Sequence, residues 1–229
     1  QNDMPLFYQK MKENLTYPMA WGNSAIRNFE KWREKARKTL LDCMLPAPPA
    51  TAFDKEVIDT EQRNGYRAEK ILFSVSEYSR VPAYLLVPDG NGPFPAVLLL
   101  HDHGAHFSIG KEKMVRPFGV EASVLADAND WVEKCYDKQY VGDYLASHGY
   151  VVLAVDALFW GERGRKEGVR YDSQQALAAN MLQMGMSWGA LIAWDDIRSA
   201  EFLASLPMVH KEKIGTMGFS MGAHRAWMV

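Results

Sequence analysis

Residues 214–222 run Ile-Gly-Thr-Met-Gly-Phe-Ser-Met-Gly, an apolar stretch closing on one serine between two glycines. Gly218-Phe219-Ser220-Met221-Gly222 fits the G-x-S-x-G corner, in which a strained strand-to-helix turn exposes a serine oxygen for attack on a carbonyl carbon. Gly218 and Gly222 let the backbone turn sharply and let the following helix approach its neighbours without a side-chain clash. The free N–H groups at the start of that helix point toward the place where negative charge develops during acyl transfer. The five-residue pattern alone arises by chance about once in ten chains of this length, so its surroundings must decide.

A second constellation is His101-Asp102-His103-Gly104-Ala105-His106. In an extended segment His101 and His103 point the same way, and such a pair is a common metal-ligand set. A metal-dependent hydrolase with bound water as nucleophile is therefore an alternative, with Asp156, Glu162 or His224 as further ligands. The competing reading has His101 and Asp102 bracing the loop through hydrogen bonds. His224 lies one helical turn past Ser220, held along the helix rather than across a cleft, and reads as a surface or packing histidine. Asp156 with Glu162, Arg163 and Arg165 reads as a loop-stapling ion cluster. Residues 111–116, Lys-Glu-Lys-Met-Val-Arg, read as a solvated basic turn, and the Met and Trp residues of 181–194 read as core.

These residues need a scaffold that brings them together. From residue 53 the apolar period is two, predicting antiparallel strands over 55–63, 67–75 and 81–87, with turns at Asn64-Gly65 and at 77–80. Residues 96–100 and 150–155 are apolar throughout, as suits strands covered on both faces. A helix is predicted over 141–148, ending at Gly149, and a long helical region over 173–206, divided around 184–189. Strands alternating with helices predict a parallel sheet, with ligands beyond its C-terminal ends. Ahead of this domain (50–229), residues 5–42 repeat apolar positions at helical spacing, broken near Tyr17-Pro18. They predict an amphipathic helical pair docked on the main body, an extension (1–49) closed by the Pro46-Ala-Pro-Pro49 linker.

With 229 residues and a net charge of −2, nothing favours nucleic acid or an anionic membrane as partner. No apolar run reaches the roughly 18 residues of a membrane span. Cys43 and Cys135 could bridge or stay free. The chain opens on Gln1, which predicts a processed N-terminus and a periplasmic or secreted protein.

The order of these motifs resembles the α/β-hydrolase superfamily, and more narrowly its dienelactone-hydrolase and acetyl-xylan-esterase-like branch. The segment His101-Asp-His-Gly-Ala-His-Phe107 with Gly110-Lys-Glu-Lys-Met114 is similar to esterase-like proteins found beside bacterial polysaccharide-uptake systems. Asp156…Gly161-Glu-Arg-Gly164 is similar to the loop after the fourth strand in that branch. The resemblance covers residue 53 onward. It implies an α/β fold with a mainly parallel central sheet and antiparallel N-terminal strands. It also implies a serine esterase acting on carbohydrate esters (acetyl or methyl), without metal or organic cofactor. Ser220 would be the nucleophile, with backbone N–H groups of Met221 and of His103 or Gly104 as oxyanion donors; Glu112 would brace the rim of the site. Two departures stand out. Asp102 occupies a position where relatives often have glycine. In the family the triad acid and base follow the elbow, whereas the nine residues after Ser220 contain no carboxylate and only His224. The resemblance thus implies the N-terminal portion of a hydrolase, completed by a C-terminal segment or a partner chain. A catalytically silent hydrolase-like binding domain is the other alternative.

Overall fold

The computed structural model describes residues 5–44, 46–165 and 168–229; Gln1 lies outside the described residues. The chain divides into two compact units, one ending at Pro46 and the other running Ala47–Val229. In the first, α1 (Leu6–Glu13) and α2 (Phe29–Asp42) are separated by an irregular stretch around Tyr17-Pro18. The second helix starts later than its apolar repeat suggests. The Asn28 side chain accepts the Lys31 N–H at 3.0 Å and caps the helix, which leaves Ile26 outside it. Trp21 meets Phe29 and Trp32 edge-on, with ring centroids 5.5 and 5.2 Å away, and Trp32 Nε1 donates to the Met19 carbonyl at 2.9 Å.

The second unit is built on one six-stranded sheet. β1 (Glu56–Arg63), β2 (Tyr66–Ser76) and β3 (Ser79–Pro88) form the expected antiparallel run, and Gly65 adopts the positive φ of +84° that the Asn-Gly turn requires. β4 (Phe94–Leu100), β5 (Val151–Val155) and β6 (Val209–Gly218) complete it in the order β1-β2-β3-β5-β4-β6. Pairing is antiparallel as far as β3–β5, then parallel across β5–β4–β6. Strand β6 begins earlier than the apolar run 214–219. Phe94 pairs with Val209, and the ladder then skips the polar residues 210–213 before Ala96 meets Ile214.

Among the described residues this unit has five α-helices, α3 (Ala122–Cys135), α4 (Val141–Ser147), α5 (Tyr171–Gln183), α6 (Trp188–Ser205) and α7 (Met221–Met228), of which α4, α6 and α7 pack on the strands. The division between α5 and α6 falls where it was expected. Gly185 turns the chain at φ +72°, and the Ser187 hydroxyl caps α6 by accepting the Ala190 N–H at 3.3 Å. Helix α3 was not anticipated, because it buries only Ala128 and Val132 and its apolar stripe is too narrow to read. Successive strand residues serve opposite layers. Leu98 and Leu100 join Phe73, Leu85, Leu153 and Phe202 on one face, while Leu99 joins Tyr84, Leu86 and Ala154 on the other.

The parallel register fixes where chemistry can occur. Leu100 lies beside both Val155 and Gly218, so the residues that follow β4, β5 and β6 emerge side by side. On the first face, Phe202 stacks on Phe73 at 4.3 Å and meets Phe53 edge-on at 5.4 Å. Replacing Phe202 with Ala deletes both contacts from a closed core, and we expect a loss of about 3–5 kcal/mol in urea unfolding at unchanged slope.

Candidate active site

Ser220 sits at φ 53°, ψ −118°, a backbone region that residues with a Cβ rarely adopt. Such a conformation costs about 1–3 kcal/mol and persists only where the surroundings enforce it. Here the enforcement is backbone against backbone. A Cβ on Gly218 would overlap the carbonyl of Gly222, and a Cβ on Gly222 would overlap the Leu100 carbonyl oxygen and lie 3.0 Å from that of His101. The helix begins at once: Gly222 N–H donates to Phe219 O at 2.8 Å, and the Ala223 and His224 N–H groups donate to Ser220 O at 3.0 and 3.2 Å. Ser220 itself is exposed. His224 is exposed on α7, with Trp227 Nε1 donating to its Nδ1 at 3.2 Å.

Both ring nitrogens of His101 and of His103 are used internally. His101 is fully buried, and its Nε2 accepts the Ala157 N–H at 3.0 Å; Nδ1 therefore carries the proton and donates to Asp102 O at 2.8 Å. Burial first, then the Arg225 and Lys113 charges, hold its pKa well below the usual imidazole value. His103 Nδ1 accepts the Ala105 N–H at 2.9 Å, so Nε2–H donates to Gln174 Oε1 at 2.8 Å. The pair is a brace and not a ready set of metal ligands. Among the described residues no group of three or more His, Cys, Asp or Glu is arranged to hold a metal ion. His106 stacks on Trp131, ring centroids 5.2 Å apart.

The basic turn is the clearest correction. Lys111 and Lys113 are wholly buried and Glu112 nearly so, in a single 3-10 turn. Lys111 Nζ lies 2.8 Å from Asp156, 2.7 Å from Glu112 and 3.1 Å from Glu162, while Lys70 meets Glu162 from the other side at 2.6 Å. Burial would lower the Lys111 pKa, but the carboxylates of Asp156, Glu112 and Glu162 outweigh it and keep the ammonium charged. Glu112 also accepts the Gly110 N–H at 3.0 Å. Asp156 accepts the backbone N–H groups of Lys111 and Glu162, at 2.7 and 3.2 Å. Arg163 pairs with Asp195 at 2.7 Å, whereas Arg165 lines an open cleft of about 330 Å³ beside Ala105, His106 and Phe107.

Three further residues escaped the motif reading. Arg225, on α7, forms a two-pronged buried pair with Asp196 of α6 (2.8 and 2.6 Å) and donates to the His101 carbonyl at 3.3 Å. Gln174, on α5, holds His103, while its own Nε2 has no partner among the described residues. Beside them Trp160, Phe107, Trp188 and Met221 form an apolar wall. The i, i+29 spacing of Asp196 and Arg225 carries no local signal. The buried character of Gln174 does not show in a helix of weak periodicity.

A strained serine at a strand-to-helix corner, beyond the C-terminal edge of parallel strands, defines the α/β-hydrolase fold. The chain belongs to the Abhydrolase family, whose Abhydrolase_7 model matches residues 7–229. It is 28% identical over 197 residues to YtaP of Bacillus subtilis (strain 168), a protein named as a candidate hydrolase, covering 85% of this chain and 58% of that protein. Among solved structures it resembles a candidate acetyl xylan esterase from Bacteroides fragilis NCTC 9343, with TM-score 0.77 and 24% identity, over 97% of this chain and 55% of that one. It also resembles a glucuronoyl esterase from Solibacter usitatus, with TM-score 0.57 and 17% identity, over 93% and 60% of the two chains. At these identities the structural likenesses establish the fold, and the chain spans little more than half the length of these relatives.

The corner makes a sharp demand on sequence. We expect Gly222→Ala to lower the melting temperature and to abolish any reactivity of Ser220, because its new Cβ meets only backbone. Gly215→Ala, which adds a methyl to open space in β6, is the control expected to melt within a degree or two of the parent.

Proposed function

We propose that this chain carries the nucleophile and oxyanion side of a serine-type carboxylic ester hydrolase acting on carbohydrate esters, acetyl or methyl, in the periplasm or outside the cell. The observation that supports it most is the enforced φ of +53° at Ser220 directly ahead of α7. The class of substrate rests on the names of the structural relatives, an acetyl xylan esterase and a glucuronoyl esterase.

In this reading Ser220 Oγ attacks the ester carbonyl while a general base removes its proton. The tetrahedral oxyanion is held by backbone N–H groups of Met221 and of His103 or Gly104. Collapse expels the alcohol, a sugar hydroxyl from an acetyl ester or methanol from a methyl ester, which takes the proton back from the base. Water, deprotonated by the same base, then attacks the acyl-enzyme, releases the acid and restores Ser220. Neither His101 nor His103 is free to act as that base, since both ring nitrogens of each are taken by internal hydrogen bonds.

A fluorophosphonate probe tests the reading directly. We expect mass-spectrometric labelling at Ser220 and slow hydrolysis of an aryl acetate, both lost in Ser220→Ala, with the rate falling at least about a thousandfold if a base is in place. A folded protein that neither labels nor hydrolyses would favour the silent binding domain instead. Activity that survives Ser220→Ala and is lost to a chelator would favour metal-dependent hydrolysis.

A further inference from the structure

The loop that follows β4 is shaped by one buried ammonium that the proposed chemistry does not otherwise use. Lys113 Nζ donates to the Asp102 carbonyl and to the His103 carbonyl, both at 3.1 Å, and lies 3.4 Å from Asp102 Oδ2. Its side chain is fully buried and sits 5.0 Å from the centre of the Trp131 ring. The Asp102 carboxylate is anchored by Trp131 Nε1 at 3.1 Å and by the Tyr136 hydroxyl at 2.7 Å. The His103 carbonyl also accepts Trp160 Nε1 at 3.1 Å.

In a trans peptide the C=O and the following N–H point in opposite directions. Both peptides concerned are trans, the only cis bond among the described residues being Gly92-Pro93. Drawing the Asp102 and His103 carbonyls toward Lys113 therefore turns the N–H groups of His103 and Gly104 the other way. The two N–H groups thus point away from Lys113, and among the described residues neither donates a hydrogen bond.

We infer that Lys113 is a positioning residue for oxyanion binding: its ammonium, by holding two carbonyls inward, aims the N–H groups of His103 and Gly104 at the Ser220 side. The inference rests on Ser220 being the nucleophile. It adds a condition that the elbow alone does not impose, namely that the two carbonyls are held most strongly while Lys113 is charged. Burial, opposed by the Asp102 carboxylate, pulls the Lys113 pKa down to about 8. The titratable and charged groups facing it are His101 and Asp102 after β4, Lys111 and Glu112 in its own turn, Asp156 after β5, and Cys135 and Tyr136 at the end of α3. Burial lowers His101 and raises Cys135 and Tyr136, while its carboxylate partners hold Lys111 charged.

The test uses two readouts. In the ¹⁵N-labelled chain, the amide resonances of His103 and Gly104 should shift together with a midpoint near pH 8, in the parent and in Ser220→Ala alike. They should be flat over that range in Lys113→Met. Parent amides that do not titrate there, or a titration that persists in a folded Lys113→Met, would overturn the inference. This readout needs no catalysis, so it decides the role of Lys113 even if the protein proves inactive, and the parent titration decides it if the variant does not fold. Where aryl acetate hydrolysis is measurable, Lys113→Met should lower kcat about 100-fold at similar KM. The parent's kcat should also decline through pH 8 with a limb that the variant lacks. A folded variant within twofold of the parent, with the alkaline limb retained, would overturn it as well.

Discussion

Everything at this site depends on the closeness of two backbones. The start of α7 lies so near the end of β4 that Gly222 has no room for a side chain against the Leu100 carbonyl. That contact needs Leu100 and Gly218 in register, which the parallel β4–β6 ladder supplies. It also needs the chain to reverse within two residues, which it does through the positive φ of Ser220. The cost of that conformation, about 1–3 kcal/mol, is not repaid at the corner itself. It is offset by the apolar contact that α7 makes by lying against the sheet. A strained serine is thus the consequence of where a helix must pack.

A second layer of constraint is electrostatic. Loops beyond a sheet expose backbone polar groups, and a loop that is also buried must satisfy them internally. Here buried charged and polar side chains do so. Arg225 reaches the His101 carbonyl, His101 takes the Ala157 N–H, Asp156 takes two N–H groups, and Lys113 takes two carbonyls. Buried ion pairs are a poor source of net stability, because desolvation consumes most of the Coulomb gain. Their contribution is geometric: each fixes a loop to a neighbouring strand end, so the ends of β4, β5 and β6 hold one arrangement.

What was legible in the sequence follows from the range of the interactions concerned. The three hairpin strands could be read because period-two alternation and an Asn-Gly turn are local. β4 and β5 could be read because strands covered on both faces are continuously apolar. The corner at Ser220 could be read because its glycines and serine are adjacent. Residues 111–113 could not: a Lys-Glu-Lys run resembles solvated surface until its partners Asp156 and Asp102 are known, and these lie 45 and 11 residues away. Asp196 and Arg225 sit on different helices and show only as two ordinary charges. The metal-ligand reading of His101 and His103 failed for the same reason, since the groups that occupy their nitrogens, Ala157 and Gln174 among them, come from distant segments.

The geometry also separates two tasks that a serine hydrolase combines. In the proposed reading, aiming N–H groups at a developing oxyanion is a matter of backbone direction, set by contacts among β4, β6, α7 and the Lys113 turn. Removing the serine proton is a matter of side-chain reach, and His101 and His103 are committed elsewhere. The two tasks therefore depend on different parts of a fold. Oxyanion donors that are part of a rigid sheet edge need no reorganisation when a substrate arrives, which is the condition under which such donors contribute most. In the proposed reading, the described residues assemble that half in advance, whatever supplies the base.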